Sequence, residues 1–179
     1  MTCVKKTANL LVVLFIVIIT CKCTFHGNKD GLVREYHKNG KIFPEIYYEN
    51  GKKNGVFFVW YDNGQLHDSA FFKNDSLVGP SVSYYKNGNK NKLSYRNENH
   101  KLEGDYFFWY EDGVLGSIRH YKNGKIHGED KMYYRTGQLN RLKNYNNGQL
   151  NGVSVFFKEN GDTLKIELYQ DGVLLNSKE

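Results

Sequence analysis

The sequence predicts an all-β fold: an elongated, twisted antiparallel β-meander built from six hairpin repeats of about 24 residues. Three observations support this prediction. Glycines recur in regular columns, Asn-Gly and Asp-Gly pairs recur between strand-like runs, and aromatic residues recur in the same register. The 179 residues include 18 glycines, 14 tyrosines and 11 phenylalanines but only 2 prolines. Aromatic side chains suit pleated strands and glycine suits tight turns, so this composition favours strands over helices.

The glycines fall into three columns, and only Gly27 and Gly116 lie outside them. The first column, with neighbours 24 or 25 residues apart, consists of Gly31, Gly55, Gly79, Gly104, Gly128 and Gly152. The second column, nine residues later, consists of Gly40, Gly64, Gly88, Gly113, Gly137 and Gly161. The third column, 20 residues after the first, consists of Gly51, Gly124, Gly148 and Gly172, with Asp75 in the second repeat. A fixed period of this length is typical of a repeat architecture.

Asparagine or aspartate precedes most glycines of the second and third columns. These residues are Asn39, Asn50, Asn63, Asn87, Asn123, Asn147, Asn160, Asp112 and Asp171. Asn-Gly and Asp-Gly tolerate the positive φ angles of a two-residue type I′ turn, the commonest hairpin connection. We therefore predict a turn about every 12 residues, two strands per repeat and roughly twelve strands.

Two-residue turns would also fix the strand register. The predicted cross-strand pairs are Tyr61–Leu66, Tyr110–Leu115, Tyr134–Leu139, Phe72–Leu77, Tyr121–Ile126, Tyr145–Leu150 and Tyr169–Leu174. Strand alternation places these pairs on one side of the sheet, the Tyr face, which also holds the first-column glycines. There we expect neighbouring tyrosine rings to cover the glycine backbone. The opposite side, the Trp face, is predicted to hold the Arg34–Glu45 pair and Phe58, Trp60, Phe107, Trp109, Ile118, Val155, Phe157 and Ile166.

One aromatic column supplies the candidate site. It consists of Tyr36, Trp60, Tyr84, Trp109, Tyr133 and Phe157. The ordinary interpretation of any single ring is packing within the sheet. Both faces are rich in rings, and a single-layer sheet exposes one of its faces. We therefore predict a binding surface on this column, with Trp60 and Trp109 as its strongest candidates.

The repeated unit carries a family resemblance. The segment Tyr-Glu-Asn-Gly-Lys-Lys-Asn-Gly at residues 48–55 recurs, with the pattern Y-x-N-G-x-x-x-G, at residues 121–128 and 145–152. This pattern resembles MORN repeats, specifically the bacterial variant of YwqK-type antitoxin-like proteins. The resemblance implies a binding or scaffolding module. A second likeness, of residues 60–66 to choline-type cell-wall-binding repeats, fits less well because those units are shorter and carry more tryptophan.

The first 30 residues predict an export signal. Lys5 and Lys6 precede an unbroken apolar run over residues 10–19, which is shorter than the ~20 residues that span a bilayer. The sequence Ile-Ile-Thr-Cys ending at Cys21 resembles a bacterial lipobox, in which that cysteine becomes lipidated, although Thr20 departs from its usual small residue. One alternative is cleavage after Cys23 and plain secretion, and another is an uncleaved N-terminal anchor. We therefore expect a signal peptide at residues 1–20, a short tether at 21–30 and the repeat array at 31–179.

The sequence predicts no enzyme, no metal and no cofactor. No cysteine follows Cys23, and the six histidines occupy different repeat columns. Neither a G-x-S-x-G nucleophile elbow nor a phosphate-binding G-x-x-x-x-G-K-[ST] loop occurs. A cell-wall hydrolase would require a cleft that collects histidines and carboxylates from several repeats.

The predicted function is an envelope-tethered or secreted binding scaffold that holds a protein, a glycan or a lipid headgroup. The alternatives are an antitoxin or immunity-type protein that neutralises a toxin, and a cell-wall glycan-binding module. The net charge of +6 is interspersed along the chain, which does not favour nucleic acid as the partner. Contact with a membrane is expected only through the N-terminal anchor, and the oligomeric state is left open.

Overall fold

The protein folds into one open antiparallel β-sheet, described here over residues 30–179 of a computed structural model. The fifteen strands are β1 (Gly31–Tyr36), β2 (Ile42–Glu49), β3 (Lys52–Trp60), β4 (Leu66–Lys73), β5 (Ser76–Leu77), β6 (Gly79–Tyr84), β7 (Lys90–Arg96), β8 (Gly104–Trp109), β9 (Leu115–Lys122), β10 (Lys125–Tyr133), β11 (Leu139–Asn146), β12 (Gln149–Leu150), β13 (Gly152–Phe157), β14 (Thr163–Gln170) and β15 (Val173–Lys178). No helix occurs within these residues. The predicted all-β hairpin meander is confirmed.

Each strand pairs with the strand that follows it in the chain. The short strands β5 and β12 continue into β6 and β13 after a one-residue interruption, at Val78 and Asn151 respectively. The sheet therefore has thirteen strand positions rather than roughly twelve, because β15 adds a further strand after the sixth hairpin.

The turns that contain third-column glycines are two-residue hairpin turns, as predicted. At Asn147-Gly148 both residues have positive φ angles, of 49° and 89°, which matches the type I′ geometry. The register that follows is also as predicted. The confirmed pairs are Phe72–Leu77, Tyr121–Ile126, Tyr145–Leu150 and Tyr169–Leu174.

The turns that contain second-column glycines have a different geometry. In the second repeat the Tyr61 N–H donates to Gln65 O at 2.8 Å, and the Gly64 N–H donates to Tyr61 O at 2.9 Å. Gly64 has a positive φ angle of 88°, whereas Asn63 does not have one. These bonds close a three-residue loop that ends in a left-handed glycine, the type I turn with a G1 bulge.

The three-residue loop makes one set of predicted pairs wrong. Leu66 pairs with Trp60 instead of Tyr61, and Leu115 and Leu139 likewise pair with Trp109 and Tyr133 instead of Tyr110 and Tyr134. These leucines consequently lie on the Trp face. A second irregularity at His67 restores the predicted register beyond the turn, where Val59 pairs with Asp68. In the first repeat an irregularity between Arg34 and Tyr36 restores the register in the same way, and the predicted Arg34–Glu45 pair is confirmed.

The first-column glycines are explained by backbone conformation. All six have positive φ angles, between 69° at Gly79 and 100° at Gly55, which disfavour residues with a Cβ atom. At Gly55 a Cβ would lie 3.7 Å from the Tyr47 ring, but that ring lies on the Trp face and not on the predicted Tyr face. At Gly31, Gly79, Gly104 and Gly128 no atom lies within 4 Å of that position, so the prediction of a covering ring is wrong there.

In the second to fifth repeats a tyrosine hydroxyl links the repeat to the next one. These tyrosines precede the second-column glycines by three residues, and each hydroxyl donates to a backbone carbonyl 23 or 24 residues further on. The bonds are Tyr61–Tyr84 O at 3.0 Å, Tyr85–Trp109 O at 2.9 Å, Tyr110–Tyr133 O at 2.9 Å and Tyr134–Phe157 O at 2.8 Å. In the first repeat His37 Nε2 lies 2.9 Å from Trp60 O and occupies the same place. Burial raises the pKa of the Tyr61 and Tyr85 hydroxyls further above neutral pH.

Backbone contacts link the repeats at the opposite edge. In four of the two-residue turns the N–H of the second turn residue donates to a carbonyl of the preceding repeat. The bonds are Asp75 to Lys53 O at 2.9 Å, and Gly124 to Leu102 O, Gly148 to Ile126 O and Gly172 to Leu150 O at 2.8 Å. Since four of the five junctions between repeats are thus bonded at both edges, the spacing between these repeats is constrained across the width of the sheet.

We predict that Tyr110→Phe lowers the free energy of unfolding by about 1 kcal/mol, because it removes one inter-repeat hydrogen bond and leaves the Tyr133 carbonyl without that donor. Urea unfolding followed by circular dichroism measures this change. The control is Tyr95→Phe, since the Tyr95 side chain is 49% exposed. Equal stability of the two variants would contradict the structural role of the hydroxyl.

Candidate functional site

The six candidate site residues form a single row on the Trp face. Trp60 and Trp109 lie beside Phe58 and Phe107 on the same strands, with ring centroids 5.6 Å apart in both pairs. Cross-strand pairing places Ile118 opposite Phe107 and Ile166 opposite Val155, which confirms the predicted composition of this face.

We call this row the aromatic stripe: Tyr36, Trp60, Tyr84, Trp109, Tyr133 and Phe157. Each ring is the last strand residue before a three-residue turn, so the stripe follows one edge of the array. Tyr36 is 61% exposed and the other five rings are half-buried. Adjacent stripe residues are two strands apart, which corresponds to about 9.6 Å in the hydrogen-bonding direction. The stripe is therefore a regular series of partly accessible rings.

The cross-strand partners of the stripe complete a row of twelve residues, which we call the stripe row. These partners are Ile42, Leu66, Lys90, Leu115, Leu139 and Thr163. Lys90 is the only charged residue in the stripe row, and its Nζ lies 5.7 Å from the centroid of the Trp109 ring. At this distance the ammonium group makes a cation–π contact.

A shallow pocket lies over one stripe residue. Its lining consists of Trp60, Ile42, Lys41 and the turn glycines Gly40 and Gly64, and its volume is ≈ 330 Å³. A Cβ at Gly40 would meet no atom within 4 Å, so the glycine leaves open space there. The Trp60 ring is consequently accessible between two successive turns.

The polar side chains beside the stripe are engaged within the protein. In the first three repeats the asparagine that precedes the turn glycine donates its amide to the next turn and accepts a backbone N–H two residues on. The donated bonds are Asn39–Asp62 O, Asn63–Lys86 O and Asn87–Glu111 O, at 2.7 to 2.9 Å. The accepted bonds come from Lys41 N, Gln65 N and Asn89 N. These amides therefore stack the turns instead of facing a ligand.

A second apolar row crosses the Trp face further from the stripe. It begins at the residue after each first-column glycine, and its exposed members are Leu32, Tyr47, Val56, Phe71, Tyr95, Val153 and Leu168. In the fourth and fifth repeats the equivalent pairs are polar, Asp105–His120 and Glu129–Asn144. Sequence reasoning missed this row, although its position directly after the glycine column was a usable signal.

Two histidines and two carboxylates line a cleft in that polar section. Its lining includes His120, His127, Asp105 and Glu129 and its volume is ≈ 360 Å³. His120 Nδ1 lies 2.8 Å from Asp105 Oδ1, and both side chains are about half exposed. Within residues 30–179 no group of three or more His, Cys, Asp or Glu side chains is placed to hold a metal ion. This cleft gathers groups of the kind that a hydrolase would require, so the absence of catalysis stays a prediction.

The Tyr face buries polar groups in the central repeats. Asp130 is 2% exposed, and the Arg119 Nε donates to its Oδ1 at 3.0 Å. Burial by itself lowers the pKa of Arg119, but hydrogen bonds to Tyr121 and Asp130 outweigh it and leave the pKa above its ordinary value. The Arg119 guanidinium is therefore charged at neutral pH. Ser154, the side chain with no exposure at all, lies on the same face.

Residues 1–29, which include Cys21 and the predicted signal peptide, lie outside the described residues. Over residues 30–179 the structure contains no helix with the length and apolarity to cross a membrane. The predicted lipidation of Cys21 stays a prediction.

The open sheet, the 24-residue period and the stacked turns define a β-hairpin repeat protein. Four segments of the chain match the model of the family described as MORN repeat variant, at residues 29–50, 53–74, 102–123 and 126–147. They cover the first, second, fourth and fifth repeats, and the predicted resemblance to MORN repeats is confirmed at that level. No curated protein matches the chain. The match indicates a repeat protein with a binding role, and the matched family is generally non-enzymatic.

We predict that Asp130→Asn lowers the free energy of unfolding by about 3 kcal/mol, because it leaves the Arg119 guanidinium without its buried counter-charge. Chemical denaturation measures the loss. Asp105→Asn is the matched control, since Asp105 also pairs with a basic side chain but is 54% exposed, and we expect a loss below about 1 kcal/mol. Similar losses in both variants would refute the importance of burial.

Proposed function

We propose that this chain is a non-catalytic binding module of the bacterial cell envelope that holds a partner protein along the aromatic stripe. The observation that carries the proposal is the stripe itself. It presents one partly accessible ring per repeat in an almost uncharged row. Aromatic residues are enriched at protein interfaces because they offer a large contact area at a low cost in conformational entropy.

A protein partner fits the stripe better than a glycan. Hydroxyl-rich sugars require polar side chains beside the stacking rings, and the nearest asparagine amides are already bonded to neighbouring turns. The pocket over Trp60 contains a single polar side chain, Lys41, whose Nζ donates to Asn63 O. The asparagine amides and the Lys41 ammonium group beside the stripe therefore already have partners within the fold.

The envelope location rests on the sequence of the N-terminal 30 residues. The apolar run at residues 10–19 after Lys5 and Lys6 has the length of an export signal, and Cys21 stands at the lipobox position. A lipid on that cysteine would hold the repeat array at a membrane surface, with the sheet free to contact a partner.

Site-specific photo-crosslinking in the native host tests the proposal. A benzophenone amino acid at position 84, within the stripe, should give a discrete protein adduct in the membrane fraction. The same probe at position 174, an exposed residue of the Tyr face, should not. The double substitution Trp60→Ala and Trp109→Ala should reduce the adduct, and Cys21→Ala should release it from the membrane.

Two results would contradict this function. Identical adducts from positions 84 and 174 would exclude the stripe as the specific surface. A cytoplasmic adduct with a single small partner, unaffected by Cys21→Ala, would exclude the envelope location and favour a toxin-neutralising role.

A further inference from the structure

The spacing of the aromatic stripe matches one particular peptide conformation. Stripe residues recur every two strands, about 9.6 Å apart. A polyproline II helix has three residues per turn and rises ~3.1 Å per residue, so its repeat is about 9.3 Å. Every third residue of such a peptide, laid along the stripe, would therefore meet a ring of the next repeat.

We propose that the aromatic stripe binds an extended, proline-rich segment with acidic residues among its prolines, held in the polyproline II conformation. This inference rests on the proposed binding function and names the chemistry of the partner. Proline rings stack on the rings of tryptophan and tyrosine, and the peptide is already extended before it binds, which reduces the entropic cost of association.

The hydrogen-bonding pattern of the stripe favours such a ligand. The stripe row contains no amide or carboxylate side chain that would accept the N–H groups of an ordinary peptide backbone. Its donors, which suit the backbone carbonyls of a ligand, are the indole N–H groups of Trp60 and Trp109, the hydroxyls of Tyr36, Tyr84, Tyr133 and Thr163, and the Lys90 ammonium group. Proline has no backbone N–H, and the polyproline II helix forms no internal hydrogen bonds. A ligand rich in proline thus loses fewer hydrogen bonds than another peptide when its backbone contacts this row.

The pocket at Trp60 has a suitable shape for one proline of the series. Gly40 and Gly64 leave the ring open between two turns, and Ile42 forms the apolar floor beside it. Because the same turn geometry recurs at each second-column glycine, the approach to the stripe is similar from repeat to repeat. An extended segment can therefore contact several rings in succession.

The positive charge beside the stripe favours a ligand that contains acidic residues. Lys90, midway along the stripe row, is its only charged residue, and its side chain is exposed beside Trp109. Lys41 adds a second ammonium group beside Trp60. A carboxylate between two prolines would lie near these ammonium groups, whereas a lysine or arginine there would be repelled.

Fluorescence anisotropy with the purified full-length chain tests this proposal. The probe is a labelled peptide of Pro-Pro-Glu triplets, roughly fifteen residues long so that it spans several repeats. Two peptides of equal length serve as comparisons: Gly-Gly-Glu triplets, with the same charge but a flexible backbone, and Pro-Pro-Lys triplets, with the opposite charge. The Pro-Pro-Glu peptide should bind roughly tenfold more tightly than either.

Variants locate the binding site. Trp60→Ala with Trp109→Ala should weaken binding by roughly tenfold or more, whereas Phe71→Ala, on the second apolar row, should not. Lys90→Glu should reverse the preference between the Pro-Pro-Glu and Pro-Pro-Lys peptides. Circular dichroism verifies that each variant is folded before it is compared.

Equal binding of the Pro-Pro-Glu and Gly-Gly-Glu peptides would overturn the proposal, as would full binding by the folded double tryptophan variant. Either result, combined with a stripe-dependent adduct in the crosslinking experiment, would leave the proposed binding function intact and remove only the proline-rich ligand. If the crosslinked adduct is also absent, both the proline-rich ligand and the proposed binding function are excluded.

Discussion

The repeat array depends on the hydrogen bond from a tyrosine hydroxyl to a backbone carbonyl of the next repeat. Tyr61, Tyr85, Tyr110 and Tyr134 each make this bond across 23 or 24 residues. A single-layer sheet has no second layer to pack against, and only Ile46, Val59 and Val78 are buried hydrophobic residues among residues 30–179. Stability must then come from contacts between neighbouring repeats, as in other repeat proteins. The acceptor carbonyls belong to Tyr84, Trp109, Tyr133 and Phe157, so the bonds that hold the array also fix the backbone of the aromatic stripe.

The two kinds of turn determine what each face presents. The two-residue turns preserve simple strand alternation, whereas the three-residue turns shift the pairing by one residue and bring Leu66, Leu115 and Leu139 beside the stripe. Without this shift those leucines would lie on the Tyr face. The stripe row is apolar because the turn geometry adds one aliphatic residue beside most of its rings. Turn chemistry therefore shapes the surface on which the proposed function depends.

The fold was largely predictable from the sequence, and the details at the turns were not. Glycine and Asn-Gly spacing gave the strands, and two-residue turns such as Asn147-Gly148 gave the correct pairs. The same dipeptide at Asn63-Gly64 lies in a three-residue loop, which is closed by a bond from the Gly64 N–H to Tyr61 O. The dipeptide alone does not distinguish these two kinds of turn. The buried Arg119–Asp130 pair and the second apolar row escaped prediction for a related reason. An irregularity between Ile126 and Asp130, beside Gly128, shifts the pairing so that Asp130 lies opposite Arg119. The second apolar row likewise lies beside the first-column glycines, whose positive φ angles alter the local pairing.

The most direct test of this account is the detection of the tyrosine hydroxyl protons by nuclear magnetic resonance. Protons in stable hydrogen bonds exchange slowly with water, whereas those on exposed hydroxyls exchange too fast to be observed. The account predicts observable hydroxyl protons for Tyr61, Tyr85, Tyr110 and Tyr134, each with a nuclear Overhauser effect to the residue that supplies its carbonyl in the next repeat. Tyr95, with 49% exposure, should show none. Rapid exchange of all five hydroxyl protons would contradict the claim that tyrosine hydroxyls join the repeats.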